Sequence, residues 1–565
     1  MNTNINRIFS ILLFVLLSSS ANVLASETRE VRLVLQITVD GLRADLLNRY
    51  AMRFGEGGFR YFLDQGIVYT NAHYQHANTE TIVGHTTLAT GAHPSQHGMV
   101  GNVWFDRTSR ELAYNIEDPD SPLLATRDQE ASGDQVDPAQ QLSRTQGRSP
   151  AAILVPTLTD TLAAYYAGES RLFSVAGKDR SAVSMAGHAG KAFWFSTDSG
   201  DFVTSRYYYD AYPEWVAAWN AQRKADRHAG ASWQLLHEPH TYLLAGQDDR
   251  AYESDLKGYG RVFPHPFGEP GDNLFYTLLL ASPVADRLAL DFSKTLIARE
   301  DLGKDGIPDY LSISLSATDA VNHFFGPSSL ENEDVILQLD RLLADFLAFV
   351  DRSVGVANTL LVLSADHGMA DMPEYMTELG YPAGRVDTDD VIAAANRAGK
   401  QLFGIDGVVH LFYRPYVYLD DVKIADAGLS LDVVAQAIAG ALTELTGIEV
   451  AIARNGSEWM QTTPLAERVR HNFHARRSGD IYLVQRPYWF MFSKGPVVAM
   501  HGTPWRYDTH VPVIFAGAGL LPETSARPVH PVDVAPTISA VLGIAPPASA
   551  TGTVLEEVVG QQAID

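Results

Sequence analysis

The stretch VRLVLQITVDG, residues 31–41, is a nearly unbroken run of apolar and β-branched side chains that ends at Asp40. Two later stretches have the same character: YLSISLSATD ends at Asp319, and TLLVLSADHG runs into Asp366 and His367. Strands that are apolar on both faces are typical of a largely parallel sheet that is covered by helices. The three stretches therefore predict buried parallel strands, each with a polar residue at its end.

Helical patterns alternate with these strands. In residues 335–350 the apolar side chains recur at the spacing of one helix face, and residues 531–544 form a second candidate helix. A further stretch, HVPVIFAG, opens at His510 and is expected to be another parallel strand. Strands alternating with helices predict an α/β fold with helices on both faces of the sheet.

The composition describes a globular protein with a sizeable core, since 46% of its 565 residues are hydrophobic and 19% are charged. The chain has no cysteine, so disulfides are excluded and any metal site must use His and carboxylate ligands. Its formal net charge of −24 repels nucleic acid over most of the surface. An anionic substrate would therefore need a local cluster of cations or metal ions.

The N-terminus has the layout of a secretory signal peptide. Arg7 precedes an apolar run at residues 8–17, and the small-residue site Val23-Leu24-Ala25 follows. The run is too short to span a bilayer comfortably. We therefore expect residues 1–25 to be a signal peptide, and the mature protein to be periplasmic or secreted with no membrane span.

Three aspartates and three histidines are expected at the carboxyl edge of the sheet, where open α/β sheets bind ligands. They are Asp40, Asp319, His323, Asp366, His367 and His510. Any one of them alone is more often a turn former, a helix cap or a core histidine, but Asp and His together suit zinc or manganese. One catalytic zinc takes about three protein ligands, so six ligands predict a two-metal site.

Residues 76–102, HANTETIVGHTTLATGAHPSQHGMVGN, hold five threonines close together. Threonine is common in turns and at helix starts, so capping and packing account for most of them. A two-metal site also needs a nucleophile, and a hydroxyl becomes one when a metal or a base activates it. One of these threonines is therefore a candidate nucleophile.

Seven motifs follow one another between Asp40 and His510: VDGLR, TIVGH, GMVGN, GKDRS, SATDAVNHFFGP, SADHGM and HGTPWRYDTHVPVIFAG. Their order resembles the alkaline phosphatase superfamily, and specifically its threonine-nucleophile alkaline phosphatases of the PafA type. The resemblance implies an alkaline-phosphatase-like core with a largely parallel central sheet. Residues 26–565 would form this catalytic domain, with cap-like insertions near 103–170, 190–305 and 375–480, and we expect the polar segment 127–150 to be an exposed loop.

The resemblance also implies roles for single residues. Thr81, in TIVGH, would be the nucleophile, and two zinc ions would be bound per chain. The two ligand sets would be Asp319, His323 and His510 for one zinc ion, and Asp40, Asp366, His367 and the Thr81 oxygen for the other. The implied activity is hydrolysis of small phosphate monoesters through a phosphothreonine intermediate.

The GKDRS motif bears on the substrate class. In an extended segment Lys178 and Arg180 point the same way, and the resemblance implies that both contact the phosphoryl oxygens beside Asn102. An isolated pair of this kind is more often a solvated charge pair. Two alternatives remain: a phosphodiesterase or nucleotide pyrophosphatase of the same superfamily, and a phosphate- or metal-binding protein on an inactive scaffold. The second would predict loss of the nucleophile or a ligand, and none is lost.

Overall fold

The computed structural model describes residues 30–124, 137–256, 258–492, 495 and 497–562. The predicted signal peptide, residues 1–25, lies outside these ranges. Within them, no helix is both long enough and apolar enough to cross a membrane.

The described residues form strands and helices that alternate along the chain. The strands are β1 Leu33–Val39, β2 Ile67–Tyr69, β3 Val103–Asp106, β4 Glu111–Tyr114, β5 Leu172–Ala176, β6 Lys191–Phe195, β7 Phe202–Val203, β8 Ser232–Trp233, β9 His265–Pro266, β10 Asp309–Leu315, β11 Thr359–Ser364, β12 Gly384–Arg385, β13 Val409–Tyr413, β14 Tyr416–Leu419, β15 Ile448–Ala453, β16 Ile481–Gln485, β17 Trp489–Phe490, β18 Val513–Gly517 and β19 Glu523–Ser525. The α-helices are α1 Ala44–Tyr50, α2 Phe59–Gln65, α3 Thr81–Thr90, α4 Pro94–His97, α5 Leu158–Tyr165, α6 Asp179–Ala186, α7 Glu214–Asn220, α8 Phe275–Leu280, α9 Pro283–Arg299, α10 Ala317–Phe325, α11 Leu330–Ser353, α12 Pro373–Glu378, α13 Thr388–Phe403, α14 Asp421–Asp426, α15 Leu431–Thr443, α16 Pro464–Asn472, α17 Arg506–Thr509, α18 Val534–Val541 and α19 Glu556–Val559.

The central sheet of the described chain has nine strands in the order β19-β2-β18-β11-β1-β10-β5-β6-β7. From β11 to β6 the strands are parallel, and Leu33 of β1 is level with Asp309 of β10 and Thr359 of β11. β18 runs antiparallel to both β11 and β2, and β7 runs antiparallel to β6. The prediction of a largely parallel sheet is confirmed, but the prediction that HVPVIFAG is a parallel strand is wrong.

Helices cover both faces of this sheet. Alternate side chains of β1 point to opposite faces, and all of its residues are buried. Leu33 and Leu35 belong to one buried cluster with residues of α9, α10 and α11, whereas Val34 belongs to another with residues of α3 and α18. Burial on both faces explains why the strands are unbroken apolar runs in the sequence.

The two helices predicted from periodicity are present. α11 contains residues 335–350 and begins after Ser329, whose hydroxyl accepts a hydrogen bond from the Asn332 N–H. α18 lies within residues 531–544. The Ser329 side chain accepts a hydrogen bond from a first-turn N–H that has no partner within the helix. The helix therefore begins about one turn before the apolar stripe.

A smaller sheet, in the order β13-β14-β16-β15, lies in the region of the predicted insertion near 375–480. It has its own buried cluster, which includes Val391 of α13, Ile438 of α15 and Leu483 of β16. α16, from the same region, packs against α4 of the main domain. This unit therefore contacts the main domain near the segment that contains Thr81.

Candidate active site

The carboxyl edge of the central sheet brings three aspartates together. Asp40 directly follows β1, and Asp366 lies two residues beyond β11. Asp319 was expected at a strand end, but β10 ends at Leu315 and Asp319 lies in the first turn of α10. The helix places His323 four residues later on the same face as Asp319, with His323 Nε2 3.3 Å from Asp319 Oδ2.

Two clusters of possible metal ligands lie at this edge. Asp40, Asp366 and His367 form one group, and Asp319, His367 and His501 form the other; within each group the ligand atoms lie within 4.8 Å of one another. His367 Nε2 lies 3.4 Å from Asp40 Oδ1 and 3.3 Å from Asp366 Oδ2, while His501 Nε2 lies 3.7 Å from Asp319 Oδ1. The His367 and His501 rings stack with centroids 3.6 Å apart, so the clusters are adjacent.

His510, which the sequence placed in this set, does not lie with it. Its ring stacks on His73 with a centroid separation of 4.6 Å, and its Nε2 is 3.0 Å from the Thr70 carbonyl oxygen. His510 precedes β18, two strands away from β1, and faces β2. His501 lies with the set instead, since its Nε2 is 3.7 Å from Asp319 Oδ1 and its ring stacks on that of His367. The signal was present in the HGTPW motif, but a rule based on strand ends favours the histidine next to the strand.

The three histidines of the site share one hydrogen-bond arrangement. His323 Nδ1 lies 2.8 Å from the Ala499 carbonyl oxygen, His367 Nδ1 lies 2.8 Å from that of Gly368, and His501 Nδ1 lies 2.8 Å from that of Thr79. A neutral ring that donates from Nδ1 keeps its lone pair on Nε2, which here faces the carboxylates. Backbone carbonyls that fix the tautomer in this way are typical of metal-ligating histidines.

Burial sets the protonation states of the site. Burial raises the pKa of the Asp40 carboxyl well above its ordinary value, and the neighbouring Asp366 raises it further. Burial also lowers the pKa of the His367 and His501 imidazoles, so both rings are neutral at neutral pH. Neutral imidazoles can bind a divalent cation directly, whereas Asp40 would release its proton when the cation binds.

Several buried polar atoms of the site make no hydrogen bond of acceptable geometry among the described residues, although some lie close to an oppositely charged or polar neighbour. They are Asp40 Oδ1, Thr81 Oγ1, Asp319 Oδ1, Asp366 Oδ2 and His367 Nε2. Leaving buried polar atoms unpaired is costly, and native proteins rarely do so. Carboxylate oxygens and imidazole nitrogens are also the donors that zinc binds. The residues present therefore fit divalent metal ions.

Thr81 is the first residue of α3 and is fully buried. Its helix packs directly on the loop after β11, since a Cβ at Gly84 would lie 1.9 Å from the Asp366 carbonyl oxygen. His85, which the sequence did not single out, lies with Nδ1 3.1 Å from Asp366 Oδ2 and Nε2 2.8 Å from Ser314 Oγ. The first turn of α3, which begins with Thr81, thus packs against the segment that carries Asp366, and a helix N-terminus favours negative charge.

Three of the other threonines of this stretch have structural partners, whereas the buried Thr86 hydroxyl, like that of Thr81, has no hydrogen-bond partner among the described residues. Thr79 Oγ1 donates to the Thr503 carbonyl, Thr90 Oγ1 donates to that of Thr86, and Thr87 Oγ1 lies 3.3 Å from His97 Nε2. These contacts are packing and capping interactions within the fold.

Asn102, Lys178 and Arg180 line one cavity together with Asp319, His323 and His501. The prediction that Lys178 and Arg180 share an extended segment is wrong, because Lys178 precedes α6 and Arg180 lies in its first turn. Both side chains nevertheless reach the same cavity. Asn102 Oδ1 accepts a hydrogen bond from the Ile82 N–H, which ties the Asn102 amide to the start of α3.

The described part of segment 127–150 is not the exposed loop that was expected. Ala139 and Arg148 are buried, and Asp137 Oδ2 accepts a 2.5 Å hydrogen bond from Arg180 Nη1. Arg148 Nε in turn donates to Asp179 Oδ2 at 2.8 Å. The segment lacks periodicity because its residues serve these individual contacts rather than one helix or strand face.

The family model described as type I phosphodiesterase / nucleotide pyrophosphatase matches residues 34–504 of the chain. Alkaline phosphatase PafA of Elizabethkingia meningoseptica is 32% identical over 537 residues, which cover 94% of this chain and 95% of that protein. A protein of Myroides odoratus that is named calcium-transporting ATPase is 34% identical over 545 residues, which cover 95% of this chain and 97% of that protein.

Solved structures give the same relationship. The crystal structure of wild-type alkaline phosphatase PafA aligns with a TM-score of 0.83 at 31% identity, over 94% of this chain and 99% of that chain. A PafA variant substituted at a threonine, an asparagine, a lysine and an arginine aligns with a TM-score of 0.84, also at 31% identity and over the same shares.

Proposed function

The chain belongs to the type I phosphodiesterase / nucleotide pyrophosphatase family, within the alkaline phosphatase superfamily, and we propose that it is an exported, zinc-dependent phosphomonoesterase. The family makes it a phosphoester hydrolase. The proposal adds the ester type, the metal and the residues that do the chemistry.

Thr81 is proposed as the nucleophile. Its hydroxyl is buried and has no hydrogen-bond partner among the described residues, and Thr81 is the first residue of α3, the helix that packs against the Asp366 segment. The Thr81 oxygen would attack phosphorus in line and expel the alcohol, which leaves a phosphothreonine. Water then hydrolyses this ester and releases inorganic phosphate.

Two zinc ions are proposed as cofactors. Asp40, Asp366 and His367 would hold one of them, together with the Thr81 oxygen. Asp319, His323 and His501 would hold the other, since His323 and His501 both direct Nε2 toward Asp319. When bound, the ions would lower the pKa of the Thr81 hydroxyl and stabilise the leaving oxygen.

The observation that carries the monoester assignment is the presence of Lys178 and Arg180 on the wall of the metal-ligand cavity. A monoester brings two negative charges on its terminal oxygens, so it gains from cations beyond the metal ions. Arg can bind two oxygens at once, and Lys acts as a point charge. The PafA variant described above is substituted at the same four residue types as Thr81, Asn102, Lys178 and Arg180.

The alternatives are a phosphodiesterase or nucleotide pyrophosphatase and an inactive phosphate- or metal-binding scaffold. The family model carries the diesterase name, and diester hydrolysis would use the same Thr81 and metal ligands. The inactive scaffold is disfavoured, because none of the residues proposed as nucleophile or metal ligand is missing from the sequence. The proposal that the protein is exported rests only on the signal-peptide pattern of residues 1–25.

The deciding experiment compares three substrates on purified, zinc-loaded protein: a simple aryl phosphate monoester, its methyl diester, and ATP. A much higher kcat/KM for the monoester supports the proposal, and Thr81→Ala serves as the inactive control. A preference for the diester or for the phosphoanhydride of ATP would move the protein to the phosphodiesterase or nucleotide pyrophosphatase branch. Absence of hydrolysis of all three would favour the binding scaffold.

A further inference from the structure

Asn472, the last residue of α16, links two loops of the main domain. Its side chain is fully buried. Its Oδ1 accepts a 3.0 Å hydrogen bond from the Asn78 N–H, and its Nδ2 donates to the Val100 carbonyl at 3.2 Å. These loops lead directly to Thr81 and Asn102. One amide from the insertion region therefore bridges the two segments that carry the proposed nucleophile and its neighbouring amide.

A second layer of hydrogen bonds connects the same two segments. Asn78 Nδ2 also donates to the Val100 carbonyl at 3.0 Å, and Glu80 Oε2 accepts a 2.6 Å bond from the Asn102 N–H. The loops approach so closely that a Cβ at Gly101 would lie 3.0 Å from Glu80 Oε2 and 3.1 Å from Asn78 Nδ2. Hydrogen bonds therefore set the separation of the two loops. Asn472 contributes two of them, one through Oδ1 and one through Nδ2.

α16 itself is anchored to the segment that leads to Thr81. Arg468 Nη1 donates to the Tyr74 carbonyl at 2.8 Å, and His471 Nδ1 lies 3.1 Å from the Gln75 carbonyl oxygen. Asn472 also donates to the Tyr416 hydroxyl at 2.6 Å. A shift of α16 would therefore also displace the backbone of residues 74 and 75, which precede α3.

We infer that Asn472 is a positioning residue for the phosphoryl-transfer reaction, holding Thr81 and Asn102 at the separation that the transferred phosphoryl group requires. The inference rests on the proposed function, in which both residues contact that group. Asn472 does not reach the cavity and acts through Asn78 and Val100. A misplacement of about 1 Å can lower a rate about a hundredfold, so loss of the bridge should affect catalysis more than folding.

The test replaces Asn472 with Ala in the zinc-loaded, full-length protein, with Asn220→Ala as the matched control. Asn220 is also buried and also makes two backbone bonds, from the Phe202 N–H at 3.0 Å and to the Phe202 carbonyl at 2.9 Å, but it lies on α7. We expect similar losses of Tm and unchanged zinc content in both variants. Only Asn472→Ala should lower kcat/KM for an aryl phosphate monoester, by about ten- to a hundredfold.

A double-mutant cycle separates positioning from general destabilisation. If Asn472 acts through Asn102, the loss caused by Asn472→Ala should shrink in the Asn102→Ala background. An equal loss in both backgrounds, or a loss no larger than that of Asn220→Ala, overturns the inference. Should Asn472→Ala not fold, Asn78→Ala removes the neighbouring link and must show the same activity loss and the same coupling to Asn102.

The outcomes also separate this inference from the proposed function. If Thr81→Ala is inactive while Asn472→Ala behaves like Asn220→Ala, only the positioning role fails. If Thr81→Ala retains full activity, the nucleophile assignment itself fails, and the positioning role fails with it.

Discussion

Lys178 Nζ lies 2.5 Å from Asp319 Oδ2, at the centre of the candidate site. The same ammonium lies 2.7 Å from Asp40 Oδ2, so it touches one carboxylate of each ligand cluster. Burial by itself would lower the pKa of Lys178, but Asp319 and Asp40 raise that pKa above its ordinary value and keep the side chain charged. One ammonium cannot balance the charge of Asp40, Asp319 and Asp366 when all three are ionised, and metal ions would supply the missing positive charge.

The first prediction follows from this imbalance: the purified protein should contain two zinc ions per chain and lose its activity on exhaustive chelation. The clusters offer His nitrogens and carboxylate oxygens, which are zinc ligands. Metal analysis together with phosphatase assays before and after chelation and zinc re-addition checks it. Fewer than one zinc per active chain, or full activity after chelation, contradicts the two-metal proposal.

The second prediction separates His501 from His510. His501→Ala should lower zinc content and activity severely, because His501 Nε2 faces Asp319. His510→Ala should retain both metal and most activity, because His510 Nε2 is engaged with the Thr70 carbonyl. Zinc content and kcat/KM measured on both variants decide the matter. The reverse outcome would restore His510 as the ligand.

Much of this site could be predicted from the sequence. Asp40, Asp366 and His367 follow buried strands within a few residues, and parallel strands bring their carboxyl ends to one edge. The fold class and the resemblance to the alkaline phosphatase superfamily are confirmed by the 31% identity and the TM-score of 0.83 with the PafA structure. Prediction of site residues from the ends of strands works here because only a few residues, or none, separate each of them from a rigid strand.

The rest depends on contacts that no local pattern records. His501 and Asp137 lie in loops, so neither strand ends nor periodicity points to them, and His501 is marked only by its place in the HGTPW motif. Asn472 ends an ordinary amphipathic helix, and its role comes from bonds to Asn78 and Val100, which are far away in sequence. His510 was chosen because it adjoins a strand, but that strand lies beside β2 rather than β1.

The third prediction concerns the threonines. Thr81→Ala should abolish phosphothreonine formation and lower kcat by roughly three orders of magnitude or more, as loss of a covalent nucleophile does. Thr86→Ala and Thr87→Ala, on the same helix, should be far milder, because both residues lie in the second turn of α3 rather than at its N-terminus. Rapid-quench labelling with a phosphate monoester and steady-state rates test all three variants. A dead Thr86→Ala with an active Thr81→Ala would reassign the nucleophile.

The last prediction concerns the ester type, where the shared metal site does not discriminate. If Lys178 and Arg180 recognise the extra charge of a monoester, removing both should reduce monoester hydrolysis much more than diester hydrolysis. A hydrogen bond to a charged group that acts in the transition state contributes about 1.5–3 kcal/mol, roughly ten- to a hundred-and-fiftyfold in rate. A diester carries one charge fewer and has a bulky substituent in place of one oxygen, so it has less to lose.

The measurement is kcat/KM for both esters in wild type and in Lys178→Ala/Arg180→Ala. The matched control is Arg397→Ala/Lys400→Ala, a pair of exposed cations on α13. Because Lys178 also touches Asp40 and Asp319, zinc content must be equal in all samples before rates are compared. A selective collapse of the monoester rate supports a phosphomonoesterase, whereas equal losses for both esters would place the protein among the phosphodiesterases.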